Sequence, residues 1–149
     1  MSAITASVAL TGRGMMDTGL RMQVRLLFVD DEPAIRSAIA AFLSTRQYEV
    51  DLAEDLAGAA SLLETRRYDG VITDLRLSGR NKTEGLEVIS LARERLPQAK
   101  VILLTGYGSA PVEKEALARG ADRCIQKPIP LGELDMLLRT LLLLPNASD

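Results

Sequence analysis

Asp30-Asp31, Asp74, Thr105 and Lys127 each stand where a short strand-like run ends, and the four ends fall in chain order. The runs before them read VRLLFV, DGVIT, KVILL and DRCIQ. Carboxylates gathered at one place repel each other and do not stabilise a fold. A divalent cation relieves that repulsion. Mg2+ suits such a set, because it takes oxygen ligands, keeps several waters and needs only one or two carboxylates beside substrate oxygens. A carboxylate at the tip of a buried strand can also attack phosphorus and form an acyl phosphate. The charge developing on a transferring phosphoryl group then calls for a cation, a hydroxyl donor and an ammonium around it. Thr105 can supply the hydroxyl and Lys127 the ammonium.

Each residue has an ordinary reading too. An acid pair after a strand often caps a helix, and a lone Asp is commonly a turn residue. Thr is a good strand former, and Lys127-Pro128 reads as a surface turn. The specific signal is their ordered placement at successive strand ends.

Composition narrows the chemistry further. The chain has no histidine, which removes a His-ligated metal, a Ser-His or Cys-His catalytic pair and a phosphohistidine carrier. Its one cysteine, Cys124, permits no internal disulfide and fits a reducing cytosol, so a cytoplasmic location is expected. A net charge of −2 with both signs interspersed offers no basic surface for nucleic acid. Aromatics at 3% are too few for an RNA-stacking platform. No apolar run reaches the length of a membrane span. Neither nucleic acid nor membrane is expected as a partner. A chain of 149 residues, 47% hydrophobic and 26% charged, has room for one globular core.

The elements that must position these residues alternate strictly. Val24 to Val29 is a near-continuous apolar run, the signature of a strand buried on both faces of a parallel sheet. Pro33 suits the first turn of a helix carrying Ile35, Ala38, Ile39, Phe42 and Leu43 at helical spacing. A strand over Tyr48 to Leu52 and a helix over Asp55 to Arg66 follow, with Asp55 as candidate N-cap. Asp69 to Leu75 makes a third strand. A polar loop, Ser78 to Thr83, leads into a helix of about a dozen residues carrying Leu86, Val88, Ile89, Leu91 and Ala92. Lys100 to Thr105 is a fourth strand, and Ser109 to Arg119 a helix ended by Gly120. Asp122 to Gln126 is a fifth strand, and Leu131 to Leu144 a last helix stopped by Pro145. Five β-α units in alternation imply right-handed crossovers and a doubly wound parallel sheet covered on both faces. Ligands of such sheets bind beyond the carboxyl ends of the strands, where the acids and Lys127 stand.

Residues 1–22 differ in character: Ala, Ser, Thr and Gly without period, and Arg13 placed after the apolar part, unlike a signal peptide. The expected organisation is a disordered extension over 1–22, a domain over 23–145 and a tail over 146–149.

The stretches LLFVDDEPAIR, YDGVITDLRL, VILLTGYGS and GADRCIQKPI resemble, in order and spacing, the receiver domains of two-component systems. The resemblance runs from about Val24 to Leu144. It implies a flavodoxin-like fold with strand order 2-1-3-4-5, in a single-domain response regulator of the CheY-like kind. It implies Asp74 as phosphoacceptor and Mg2+ as cofactor. Asp31 would ligate the metal directly, Asp30 would assist through water, and the backbone carbonyl of Arg76 would complete the protein ligands. Thr105 would hydrogen-bond the phosphoryl group, Lys127 would pair with it, and Lys127-Pro128 would be cis. The implied partners are a sensor histidine kinase or phosphotransfer protein, then a downstream protein or a second copy. Phosphorylation would shift the fourth helix, fifth strand and last helix between two packings. Enzymatic activity would be limited to self-phosphorylation and self-dephosphorylation.

The chain departs from the family's pattern in two places. Cys124 stands where receivers carry a Tyr or Phe, and Tyr107 is the nearest aromatic. Ser78 holds the usual proline position, and SGRNKT lengthens the loop before Gly85. Arg76, Arg80 and Lys82 beside the acids could steer a kinase, although a solvated loop is the plainer reading. Since the chain ends soon after its last helix, output is expected through contact with another protein. That helix, LGELDMLLRTLLLL, is more apolar than one core face needs, which hints at a partner or dimer surface. Competing classes are a receiver-like module acting by binding alone and an aspartate-nucleophile phosphatase. The latter needs a second acid two positions after its nucleophile, a place that Glu32 holds after Asp30, but Pro33 and Ala34 follow it where that class has a Gly-Thr turn. A flavin-binding relative would need a phosphate loop that is missing after the first strand.

Overall fold

The computed structural model describes residues 23–77, 83–106 and 109–144. Strands β1 (Val24–Val29), β2 (Tyr48–Ala53), β3 (Gly70–Asp74), β4 (Lys100–Thr105) and β5 (Arg123–Gln126) alternate with helices α1 (Pro33–Ser44), α2 (Leu56–Thr65), α3 (Glu84–Arg95), α4 (Ala110–Arg119) and α5 (Leu131–Leu141). All strand pairs are parallel, in the order β2-β1-β3-β4-β5. The expected flavodoxin-like topology is what the chain adopts.

Strand pleating splits the apolar residues between two layers. Leu26 and Phe28 of β1, Ile72 of β3 and Ile102 and Leu104 of β4 face α1 and α5, where Ile39, Leu43, Leu134 and Leu138 complete one cluster. Leu27, Val29, Val71, Val101 and Leu103 face the other way and pack with residues of α2, α3 and α4. The central strands are apolar on both faces because helices cover both. Each fully buried Leu or Ile contributes roughly 2 kcal/mol, so burial at the centre of the sheet supplies much of the fold's hydrophobic stabilisation.

The chain winds outward from β1 to β2, then crosses back to β3, so the winding direction reverses between β1 and β3. Register places Val29 beside Thr73. The next residues, Asp30 and Asp74, therefore meet at the carboxyl edge of this switch point, where open α/β sheets bind ligands.

Local signals mark most boundaries. Pro33 begins α1, the Asp55 carboxylate accepts from the Gly58 N–H at 2.8 Å, and Gly120 with φ 120° ends α4. The last helix corrects two expectations. It ends at Leu141, not Leu144, because Leu143 turns left-handed (φ 58°). There the Leu144 and Leu143 N–H groups return to the carbonyls of Arg139 (2.8 Å) and Thr140 (3.3 Å), closing the helix before the chain reaches residue 145. Nor is α5 apolar all round. Asp135 is buried in its inner face, and among the described residues of this segment only Met136 and Leu143 are large, exposed and apolar. The expected segments 1–22 and 146–149 lie outside the described residues.

Candidate functional site

β1 and β3 end side by side, and their final residues bring the acids together. Oxygen atoms of Asp30, Asp31 and Asp74 lie within 4.8 Å of one another. Oxygens bound about 2.1 Å from a single Mg2+ can be at most roughly 4.2 Å apart, so a small closure would let all three reach one ion. The donors are hard carboxylates, and the set fits that cation.

Asp30 is wholly buried, and each of its polar atoms is engaged. Its N–H donates to the Ala53 carbonyl (3.1 Å), and its carbonyl accepts from Arg36 Nη1 (2.7 Å). Oδ1 accepts from the Glu32 N–H (2.9 Å), and Oδ2 meets Lys127 Nζ (3.2 Å). The acid pair is therefore not the cap of α1, whose N-cap residue is Glu32 without a side-chain cap bond. Asp31 is half-buried, and its carboxylate makes no hydrogen bond or ion pair among the described residues.

Asp74, 9% exposed, accepts from the Leu75 N–H (3.0 Å) and lies 3.4 Å from Lys127 Nζ. Burial pushes its carboxyl up to about 6; Lys127 opposes that rise and the neighbouring charge of Asp30 adds to it. Burial would lower the Lys127 ammonium, but Asp74 and Asp30 outweigh it and hold the ammonium above its usual value. One ammonium thus lies between two buried carboxylates.

Thr105 closes β4, one step beyond the residue paired with Asp74, and its carbonyl accepts from the Lys127 N–H (2.9 Å). It is buried and lines a cavity of about 290 Å3 between β4, β5 and α4, together with Val112, Glu113, Cys124 and Gln126. None of the three acids lines this cavity. The Lys127-Pro128 peptide is cis. Cys124 is half-buried, and burial, with the charge of Glu113, raises its thiol. Arg76 is half-buried two residues past Asp74. Ser78, Arg80, Lys82 and Tyr107 lie outside the described residues.

Two residues gain importance that the sequence alone did not assign. A Cβ on Gly85 would overlap the Asp74 carbonyl and come within 2.7 Å of Leu75 Cα. The first turn of α3 presses against the strand end here, and the Gly85 N–H donates to the Leu75 carbonyl (2.8 Å). Arg36 reaches back over the turn between β1 and α1. The available signal for it was a cation in the first turn of a helix, the wrong end for the helix dipole.

Comparison with known proteins identifies the family and the fold. The family model described as response regulator receiver domain matches residues 26–139. The photosynthetic apparatus regulatory protein RegA of Rhodobacter capsulatus is 32% identical over 109 residues, which are 73% of this chain and 58% of RegA. PilR of Pseudomonas aeruginosa is 34% identical over 82% of this chain but only 27% of its own length. The chain spans less than two thirds of the length of these relatives. Among solved structures, a CheY-like receiver from Methanospirillum hungatei JF-1 superposes with a TM-score of 0.76 at 29% identity, covering 81% of this chain and 94% of that one. A response regulator from Burkholderia pseudomallei, solved with a phosphorylated aspartic acid, calcium and citrate, gives 0.71 at 28% identity over 84% and 69%.

Proposed function

The chain belongs to the response regulator receiver domain family, and we propose that it accepts a phosphoryl group on Asp74 from a histidine kinase or phosphotransfer protein. An Asp74 carboxylate oxygen attacks phosphorus in line with the donor bond. The new P–O bond forms as the P–N bond breaks, and the donor imidazole nitrogen keeps the electron pair. Mg2+, held by Asp30, Asp31, Asp74 and the Arg76 carbonyl, would supply charge neutralisation for the transferring group. Asp30 and Asp31 bring the negative charge that recruits the cation. Lys127 already sits within 3.4 Å of the nucleophile and pairs with the phosphoryl oxygens once they arrive. The Thr105 hydroxyl donates to the same oxygens. Water attack on the acyl phosphate later returns the carboxylate and releases phosphate, so the chemistry is limited to the protein's own phosphorylation and dephosphorylation.

The observation that carries this reading is a buried nucleophile beside a second buried acid, with one ammonium between them. Signalling follows from added charge and acceptor oxygens at Asp74, which draw Thr105 and Lys127 inward. Thr105 lines the cavity beneath α4, so its displacement repacks α4, β5 and α5 and changes a surface offered to a downstream protein or a second copy. In this reading the receiver occupies residues 23–145 and works in the cytoplasm.

The test is intact mass after incubation with Mg2+ and acetyl phosphate. One added phosphoryl group is expected, absent with EDTA and absent in Asp74→Asn. An unmodified mass with Mg2+ present would favour a module that acts by binding alone. Sustained phosphate release from varied phosphoesters would favour a phosphatase.

A further inference from the structure

We infer that Arg36 is a positioning residue of the cation site, whose guanidinium fixes the peptide between Asp30 and Asp31 and so aims the Asp31 carboxylate. The inference rests on Asp30, Asp31 and Asp74 being that site.

Arg36 is the fourth residue of α1, and long side chains on a helix lean toward its N-terminus. This lean carries the guanidinium over the turn that follows β1. Nη1 donates to the Asp30 carbonyl at 2.7 Å, while Nη2 lies 3.7 Å from Glu54, just past the end of β2. The side chain is 17% exposed, so it is packed in this bridge and does not extend into solvent. The bridge ties the start of α1 to the ends of β1 and β2.

Asp30 is held by bonds to both its backbone and its side chain. Asp31 differs: its carboxylate has no protein partner among the described residues, so the backbone, by setting its Cα–Cβ direction, is what limits where the carboxylate can reach. The peptide leading into it carries the Asp30 carbonyl, and Arg36 is the side chain that donates to that oxygen. Helix stability does not account for the placement. A cation in the first turn opposes the helix dipole, and the N-cap residue Glu32 adds no side-chain bond to fix the entry of α1.

A role in positioning and a role in charge alone predict opposite signs. As mere charge, a guanidinium beside the acids repels a second cation, and removing it would tighten Mg2+ binding. As a strut for the turn, removing it leaves Asp31 poorly aimed and weakens binding. Partners one shell beyond metal ligands typically cost roughly 10-fold or more in affinity when lost.

The experiment is calorimetric titration of Mg2+ into the full chain as wild type, Arg36→Ala, Arg36→Lys and Arg36→Gln, with thermal unfolding in EDTA alongside. The Mg2+ Kd is expected to rise roughly 10-fold in Arg36→Ala. Arg36→Lys should recover little of it, because a point-charge ammonium lacks the planar fork that reaches both Asp30 and Glu54. Should Arg36→Ala fail to fold, Arg36→Gln carries the same expectation. An unchanged or tighter Kd in the folded variants overturns the positioning role. So does full rescue by lysine, which would make charge sufficient. Failure of the wild type to bind Mg2+ at all would instead remove the cation site, and the inference with it.

Discussion

Two groups of buried aspartates in this molecule are balanced in opposite ways. Asp135 on α5 is 4% exposed and meets Arg139 one turn later, at 3.1 Å, and the Tyr48 hydroxyl, at 2.9 Å. Arg139 also donates to the Arg46 carbonyl (3.2 Å), and its Cζ lies 5.7 Å from the centre of the Tyr48 ring. Burial, together with the Asp135 bond, raises the Tyr48 phenol far above its usual range, so it remains a donor. One acid faces one base, and the cluster straps α5 to the start of β2. At the carboxyl edge of the sheet, Asp30 and Asp74 share Lys127, with Asp31 adjoining. That group carries more negative charge than it can neutralise. Burial of an aspartate is common to both places. The unmatched charge sets the second apart and suits it to a cation and a phosphoryl group.

Cutting the balanced cluster should have the largest effect. Asp135→Ala removes the buried carboxylate that the Arg139 guanidinium and the Tyr48 phenol share and should lower stability by about 2–4 kcal/mol, read from urea unfolding. Phosphoryl acceptance by the folded fraction should be unchanged. A loss below about 1 kcal/mol would mean the strap is not holding α5.

Gly85→Ala probes the other side of the contrast, because the Asp74 carbonyl it would strike is backbone and cannot swing away. A stability loss of about 1–3 kcal/mol is expected, with slower acetyl phosphate labelling of protein that remains folded. Normal labelling would show that the Asp74 strand end tolerates displacement.

Removing surplus charge should stabilise the fold. The Asp74 carboxyl is raised from 3.8 to about 6, so the folded chain takes its proton more readily than the unfolded chain. Stability attributable to this group is therefore full below about pH 4 and declines as pH rises through 6. Asp74→Asn in EDTA at pH 8 should be more stable than wild type by about 1–2 kcal/mol, and the gain should shrink on acidification toward pH 4. A gain that persists at pH 4 would point to something other than charge.

The smallest effect concerns the end of α5. Leu143 is left-handed and 90% exposed, so Leu143→Gly relieves backbone strain and forfeits little burial. Thermal unfolding should show a gain of about 1 kcal/mol. No gain would mean that this turn is not formed in solution.

Alternation of apolar runs with amphipathic segments made the order of elements legible, because central parallel strands must be apolar on both faces. The candidate site was legible in part for the same reason: Asp30, Asp74 and Thr105 stand at the ends of such runs, whereas Lys127 follows the short, polar edge strand RCIQ. The end of α5 was not, because nothing in a run of leucines marks which residue turns left-handed. Asp135 was hidden inside that run, since its partners Tyr48 and Arg139 come together only in the folded chain. Arg36 escaped because its target is a backbone carbonyl, which carries no residue-type signature. Gly85 was visible only as the end of a loop, and its contact with Asp74 depends on how α3 approaches β3.

The contrast between the two aspartate groups is tested most directly by labelling Asp74→Asn and Asp135→Asn with acetyl phosphate and Mg2+ under conditions where both are folded, then measuring intact mass. Asp135→Asn should take up one phosphoryl group, as wild type does, and Asp74→Asn none. Uptake by Asp74→Asn, or loss of uptake in well-folded Asp135→Asn, would contradict the assignment of chemistry to the uncompensated edge and structure to the balanced cluster.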